Sequence, residues 1–382
     1  MNTPSSNVSS ASAIAEPPPQ RMSEEGTSFP DASLSFAHAN KTTAPGAIQW
    51  SWACRHVSSL TGGRLEENDS APPAPADVAL MRVEKTFFHK QLTRADNRRM
   101  RLYPGAQFIG VFGNRYACDA FEAEVQGTDD LSLLTAAGMV GTVKSKHHEV
   151  AAPTRLSLVG YVCTADGIRL NLKKHLFHRT TLCRLPLNLI FVVGTGMNCG
   201  KTTTAARLTH ALSRAGRNVT ACKLTGSVSN RDQDELAAAA SHQTVDFSDF
   251  GFPSTYLCTK EELLALFRAM IALVMDRDAK VVLMELADGL LQRETAMLLA
   301  EPEIRNAGRG VILSAESAPA ALWATERLRQ LGHRVVAASG KFTSSPLAMR
   351  EYTENASDIP AVSSADTGDE LAARVCGFLR DE

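Results

Sequence analysis

The chain has 382 residues, 44% of them hydrophobic and 21% charged, with a formal net charge of -1. That is enough apolar material for more than one core, and the balanced charge points to no nucleic-acid partner and no membrane surface. Eight scattered cysteines without a C-x-x-C pair, no apolar run near the ~20 residues of a membrane span, and no basic-then-apolar leader lead us to expect a reduced, cytoplasmic protein.

Residues 1–79 are rich in Ser, Ala and Pro and hold nine of the 17 prolines, with no hydrophobic period. Such composition predicts a disordered tail. A regulatory tail, a targeting extension and a start-codon artefact upstream of Met81 are all open, and Trp50 and Trp52 are its only strong apolar anchors. Residues 80–185 read as a small β-rich domain, a barrel or sandwich. Residues 108–112 and 116–125 suggest two strands around a Gly113-Asn114 bend, with further strands at 139–144, 155–163 and 168–172. The last two flank Asp166-Gly167, a hairpin turn signal. His175 and His178 have H-x-x-H spacing, but no regularly spaced partner completes a metal set. Lys173, Lys174 and Arg179 beside them make a basic patch that suits either phosphate or solvent.

From 187 to 382 the pattern changes to strands alternating with helices, the signature of a doubly wound parallel α/β sheet. Strands are expected at 188–193, 218–223, 280–285, 310–314, 334–338 and 359–363, and helices at 200–215, 260–277, 290–300, 317–331 and 368–380. Within this region, Leu189 to Val193 runs directly into Gly194-Thr195-Gly196-Met197-Asn198-Cys199-Gly200-Lys201-Thr202-Thr203. Strand, glycine-rich turn, Gly-Lys-Thr and helix is the order of a P-loop: backbone N–H groups cradle phosphates, Lys201 neutralises the β- and γ-phosphates, and the Thr202 hydroxyl ligates Mg²⁺. Thr195 stands where the first motif glycine would be.

Ligands of open parallel sheets collect at the C-terminal strand ends. The second strand of this region ends in Lys223, suited to stabilising a transferring phosphoryl group. Asp232 soon follows and suits Mg²⁺, an amine or a helix cap; Asp234 is a weaker candidate. The third ends in Glu285-Leu286-Ala287-Asp288-Gly289, where Glu285 or Asp288 fits a Walker-B-like Mg²⁺ site. Arg293 suits phosphate or solvent equally. The aromatic, acidic segment 246–257 suits a wall for a second substrate or a loop packed on the sheet, and the loop from Ser339 to Pro346 suits a position near the nucleotide.

At these residues the C-terminal region resembles the dethiobiotin synthetase group of P-loop proteins, which includes the amidating cobyric-acid enzymes. The G-T-x-x-x-x-G-K-T loop, the second-strand Lys223 and a third strand end similar to E-G-A-G-G carry the resemblance. It implies ATP-dependent phosphorylation of a carboxylate or carbamate, with Lys201, Thr202, Lys223, Asp232 and Glu285 as the working set. Leu224-Thr225-Gly226 replaces the family's usual residues after the lysine, and Leu286 and Asp288 each replace a glycine, so dethiobiotin is not the expected product. A looser similarity is to a family with D-glutamate N-acetyltransferase-like members, which also pair an N-terminal domain with a P-loop domain. ParA/MinD-type ATPases carry a second lysine where this chain has Gly196, which argues against their dimer sandwich and leaves a homodimer by another route open.

The expectation is therefore an ATP- and Mg²⁺-dependent kinase- or ligase-type enzyme acting on a small acidic metabolite. Lys201 and Lys223 are its catalytic candidates. Thr195, Gly196, Met197, Asn198, Cys199, Gly200, Lys201, Thr202 and Thr203 would bind the nucleotide, and Thr202, Asp232 and Glu285 the metal. The alternative class is a nucleotide-binding regulatory or assembly module with a protein partner.

Overall fold

A computed structural model describes residues 48–379, apart from 61–62, 68, 181–184, 186–187, 240–242, 356–357 and 364–367. The expected disorder of residues 1–47 falls outside the described residues. Residues 48–79 differ from expectation. They hold β1 (Gln49–Trp50), a 3₁₀ turn (Trp52–Val57), β2 (Arg64–Glu66) and the start of β3 (Val78–Lys85), and the turn buries Ala53, Cys54 and Val57. Their anchors are small apolar residues that composition-level reasoning outweighs with Ser and Pro.

Next come β4 (Gln91–Thr93), β5 (Arg99–Arg101), β6 (Gln107–Phe112), β7 (Phe121–Glu124), β8 (Leu131–Leu133), β9 (Met139–Lys146), β10 (Thr154–Cys163) and the short helix α1 (Leu172–Leu176). β3 pairs with β6 and β10, β10 with β8, β8 with β9, and β9 returns in parallel to β6. This five-strand ring closes into a small barrel, which removes open sheet edges. β1, β2 and β7 extend it at the margins. Alternation at period two sends Ala79, Met81, Val83, Phe108 and Phe112 into the barrel interior cluster. The intervening Val78, Leu80, Ile109 and Val111 join a second cluster that continues into the C-terminal region. Both faces of β3 and β6 are therefore apolar, which blurs the alternation in sequence.

The expected hairpin across Gly113-Asn114 does not form. β7 pairs with β9, and residues 115–120 make a loop fastened by a bridge between Arg115 and Ala123. The Asp166-Gly167 turn is present: Gly167 takes φ +80° and Thr164 bonds Ile168 across it. Residues 168–172, expected as a strand, form two isolated bridges, Arg169 to Cys163 and Asn171 to Asp77, before α1 begins.

The second layer is a six-stranded parallel sheet made of β11 (Asn188–Gly194), β12 (Val219–Lys223), β13 (Gln243–Asp246), β14 (Val281–Glu285), β15 (Gly310–Ser314) and β16 (Val335–Ser339), in the order β13-β12-β14-β11-β15-β16. Its helices are α2 (Lys201–Arg214), α3 (Asn230–Ala239), α4 (Lys260–Asp276), α5 (Arg293–Ala300), α6 (Pro302–Ala307), α7 (Ala318–Gln330), α8 (Pro346–Asn355) and α9 (Asp369–Cys376). Every residue of β11, β12, β14, β15 and β16 is buried, as a sheet covered on both faces requires. α4 shows the local logic: Thr259 and Glu262 form a capping box, and Leu263, Leu266, Phe267, Met270, Ile271 and Val274 face inward at helical spacing. The 359–363 segment adds only a parallel bridge from Ala361 to Ala338. Among the described residues no helix is long and apolar enough to cross a membrane.

The barrel is fixed to the sheet. Arg55 reaches Ser248 at 3.0 Å and also bonds Asp249, while Asp246 lies 3.9 Å away and His56 meets Asp249 at 2.8 Å. Burial, followed by the Asp249 charge, pushes the Asp246 carboxyl upward. Lys173, one of the basic-patch residues, is paired with Glu262 of α4. The 246–257 segment is thus interface: Phe247, Phe250 and Phe252 belong to the core shared with the barrel.

Candidate functional site

The P-loop connects β11 to α2. Gly200 takes φ +102°, a left-handed conformation that favours glycine, and it turns the chain into the first helical turn. A side chain on Gly194 would collide with Cys199 Sγ at 2.4 Å and the Lys201 stem at 2.7 Å, so the loop closes only over a glycine there. Lys201 is buried and its Nζ donates to the Gly196 carbonyl at 2.7 Å. α2 begins at Lys201, leaving its first N–H groups available to an anion.

Parallel register brings the other charges together. Lys223 is level with Glu285 across β12 and β14, and Glu285 is level with Val192 of the P-loop strand. Lys223 Nζ lies 3.3 Å from Glu285 Oε1 and bonds Asp232, which occupies the first turn of α3. Burial alone would push the Lys223 ammonium down, but Glu285, Asp232 and Asp288 outweigh it and hold it well above the usual lysine value. Burial likewise opposes ionisation of Asp232, and Lys223 reverses that, leaving its carboxyl below the usual range. The Thr202 hydroxyl donates to Glu285 Oε1 at 3.3 Å. Glu285 is 1% exposed, and its Oε2 is buried without a hydrogen-bond partner. A buried carboxylate oxygen with free lone pairs beside a P-loop threonine fits Mg²⁺ chemistry. Among the described residues no group of three or more His, Cys, Asp or Glu side chains could hold a metal on its own, so a metal here would need oxygens from its nucleotide.

Asp288 is placed by a neighbouring staple. Thr225 Oγ1 donates to the Ala287 carbonyl at 2.6 Å and accepts from the Ala287 N–H at 2.8 Å. Burial, followed by Glu285 and Asp119, raises the Asp288 carboxyl against the opposing effect of Lys201 and Lys223.

Lys201, Thr202, Asp232 and Asp288 line a cleft of about 820 Å³ between the barrel and the sheet, while Lys223 and Glu285 lie behind its wall. From the P-loop its wall takes Met197, Asn198, Gly200, Lys201, Thr202 and Thr203. Thr195, Gly196 and Cys199 do not line it: Thr195 bonds Glu316, Gly196 serves Lys201 through its carbonyl, and Cys199 is fully buried. Asp232 and Asp288 line the cleft, as do Lys341 and Ser344 of the loop expected near the nucleotide. Three weaker candidates lie elsewhere or serve the frame. Arg293 donates to the Cys258 carbonyl and pairs with Glu294, and segment 246–257 is outside the cleft lining. Asp234 accepts from Asn97 of the barrel at 2.8 Å and from Asn230 at 3.1 Å.

The opposite wall escaped sequence reasoning. It comes from His89, Arg115, Tyr116, Asp119 and Thr135 of the barrel. Asp119 accepts from Asn198 of the P-loop at 2.6 Å, and Met197 packs on Ala117, Ala120 and Phe121. The available sequence signal is Arg115-Tyr116 just past the Gly113-Asn114 bend that follows an apolar strand, which a hairpin assignment absorbs.

The C-terminal region is a doubly wound α/β domain with a P-loop between β11 and α2. No family model matches this chain, and no curated protein matches it. Among solved structures it is similar to the signal recognition particle receptor FtsY from Elizabethkingia anophelis in complex with GDP, at 15% identity over 55% of this chain and 70% of that one, with a TM-score of 0.35. It is also similar to chloroplast FtsY from Physcomitrella patens, at 16% identity over 50% of this chain and 63% of that one, with a TM-score of 0.33.

Proposed function

We propose that this chain is an ATP- and Mg²⁺-dependent phosphoryl-transfer enzyme, of kinase or ligase type, that acts on a small acidic metabolite. The observation that carries the proposal is the Lys223 cluster: a second buried lysine, held between Glu285 and Asp232, directly behind the cleft that Lys201 and Asp232 line. Simple nucleotide binding needs the P-loop alone. A second fixed cation at the strand ends suits charge that develops on a phosphoryl group in transit. The cleft is also large enough for a small molecule beside a nucleotide. The resemblance to the dethiobiotin synthetase group supports a carboxylate or carbamate as the phosphorylated group.

In this function Lys201 leaves the Gly196 carbonyl for the β- and γ-phosphates. Thr202 and Glu285 would hold Mg²⁺, which would supply neutralisation of phosphate charge. Asp232 keeps Lys223 oriented and protonated. An acceptor oxygen bonds to the γ-phosphorus as the bond to the β–γ bridging oxygen breaks, and the nucleoside diphosphate leaves with that electron pair. Asp288, with its raised carboxyl pKa, is placed to take a proton from an acceptor that carries one.

The test is ³¹P NMR of the full chain with Mg²⁺ and either ATP or GTP in a pool of small carboxylic acids. We expect a new phosphoryl product or acceptor-dependent phosphate from ATP, abolished by Lys201→Ala and Glu285→Gln. Turnover that survives both substitutions would refute the assignment. Nucleotide binding without any product, together with nucleotide-dependent capture of a protein, would instead support the regulatory class.

A further inference from the structure

The barrel wall of the cleft carries a guanidinium, that of Arg115, two of whose nitrogens have no hydrogen-bond partner among the described residues. Arg115 has its backbone locked by a two-way bridge to Ala123, with N–O distances of 2.8 and 2.9 Å. Its guanidinium lies 5.7 Å from the centre of the Phe121 ring. Nε and Nη1 are buried and have no hydrogen-bond partner. Burial lowers the group only to about 10, so it stays charged at neutral pH. The neighbouring His89 is held down to about 4 by burial and then by Arg115, so it is neutral and adds no charge to that wall. Two buried guanidinium nitrogens without partners carry a desolvation cost that a ligand would offset, although Asp119 and Asp288 compensate part of the charge. Its fork of N–H donors matches the paired oxygens of a carboxylate or phosphate.

A separate anion is favoured over the nucleotide as the ligand. Two carboxylates belong to both walls. Asp288 feels Lys201 and Lys223 as well as Arg115, and Asp119 is bonded to Asn198 while supporting the Arg115 charge. A polyphosphate reaching from Lys201 to Arg115 would carry several charges past both carboxylates, whereas a small anion brings only one or two charges to Arg115.

We propose that Arg115 is the receptor for an anionic group, a carboxylate or a phosphate, of the acceptor molecule, so that the barrel is the acceptor-recognition module of the enzyme. The word acceptor rests on the phosphoryl-transfer function above; the anion site does not, because it is measured without turnover.

The experiment uses the full chain with its P-loop filled by Mg²⁺ and a non-hydrolysable ATP analogue. Succinate and inorganic phosphate are then titrated calorimetrically in separate arms, which distinguish a carboxylate from a phosphate ligand. Wild type is expected to bind at least one probe, and Arg115→Met to weaken it by about tenfold or more. Arg115→Lys should recover part of the loss, and both variants should bind the nucleotide analogue within about twofold of wild type, which also shows that they are folded. Should Arg115→Met fail to fold, Arg115→Gln takes its place. Wild type binding neither probe, variants binding the probes like wild type, or a loss confined to the nucleotide would each overturn the proposal. Absence of phosphoryl transfer alongside Arg115-dependent probe binding would refute the function and leave the anion site standing.

Discussion

The two walls of the cleft handle buried charge in opposite ways. On the sheet side, Lys223 is shared between Glu285 and Asp232, and Lys201 rests on the Gly196 carbonyl. On the barrel side, Arg115 has two buried nitrogens with no partner. In the first wall both lysines are already paired before anything binds, with Glu285 Oε2 left without a hydrogen-bond partner among the described residues. The second is rigid in backbone and open in charge. A site that performs the same step on every turnover benefits from the first arrangement, and a site that selects a ligand benefits from the second, because the right ligand removes a standing cost.

The largest effect should come from opening the paired network. Lys223→Ala leaves Glu285 almost fully buried with its charge uncompensated, and should cost about 3–5 kcal/mol in urea unfolding. Lys223→Met with Glu285→Gln should restore most of it. If the single substitution costs under about 1 kcal/mol, the wall is not the coupled unit described here. Lys201→Ala should weaken MgATP binding or turnover by about 10²–10³-fold while leaving the urea midpoint near wild type, because this lysine serves phosphate and not the fold.

Smaller effects test how the walls are held together. Arg55→Ala removes the cation placed among Asp246, Ser248 and Asp249, and should cost about 1–3 kcal/mol. Barrel and sheet share one hydrophobic core, so unfolding should stay a single transition; a split into two would show that the ion cluster is what joins them. The smallest effect is on pH. His89 has a folded-state pKa of about 4, below the unfolded value of about 6.5. Its contribution is fully present above pH ~6.5 and fades as pH falls toward 4, for a loss that the shift caps at about 3 kcal/mol. His89→Gln should flatten that part of the stability curve, and identical curves for both proteins would count against a buried neutral imidazole.

How far the molecule could be read in advance follows the same division. Residues 194–203 are contiguous, so strand, turn and helix signals agree within one window. Lys223 and Glu285 were accessible because parallel strands align their C-terminal ends, and register then places the two side by side. Arg115, His89 and Thr135 come from separate barrel loops with no motif spacing, and closure of the ring through the parallel β6–β9 pair is what assembles them. Segment 246–257 shows the converse. Its aromatic and acidic character was visible, but only the docked barrel decides that those groups face Arg55 and a shared core and not a ligand.

The central claim is that nucleotide chemistry takes place between two walls, one from each region. Hydrogen exchange of the full chain, with and without Mg²⁺, a non-hydrolysable ATP analogue and the anion probe that Arg115 binds, tests it most directly. Slowed exchange is expected both in the P-loop around 195–203 and in the barrel loops around 115–119 and 135–137. Protection confined to the P-loop side, with the barrel loops unchanged, would contradict a shared cleft.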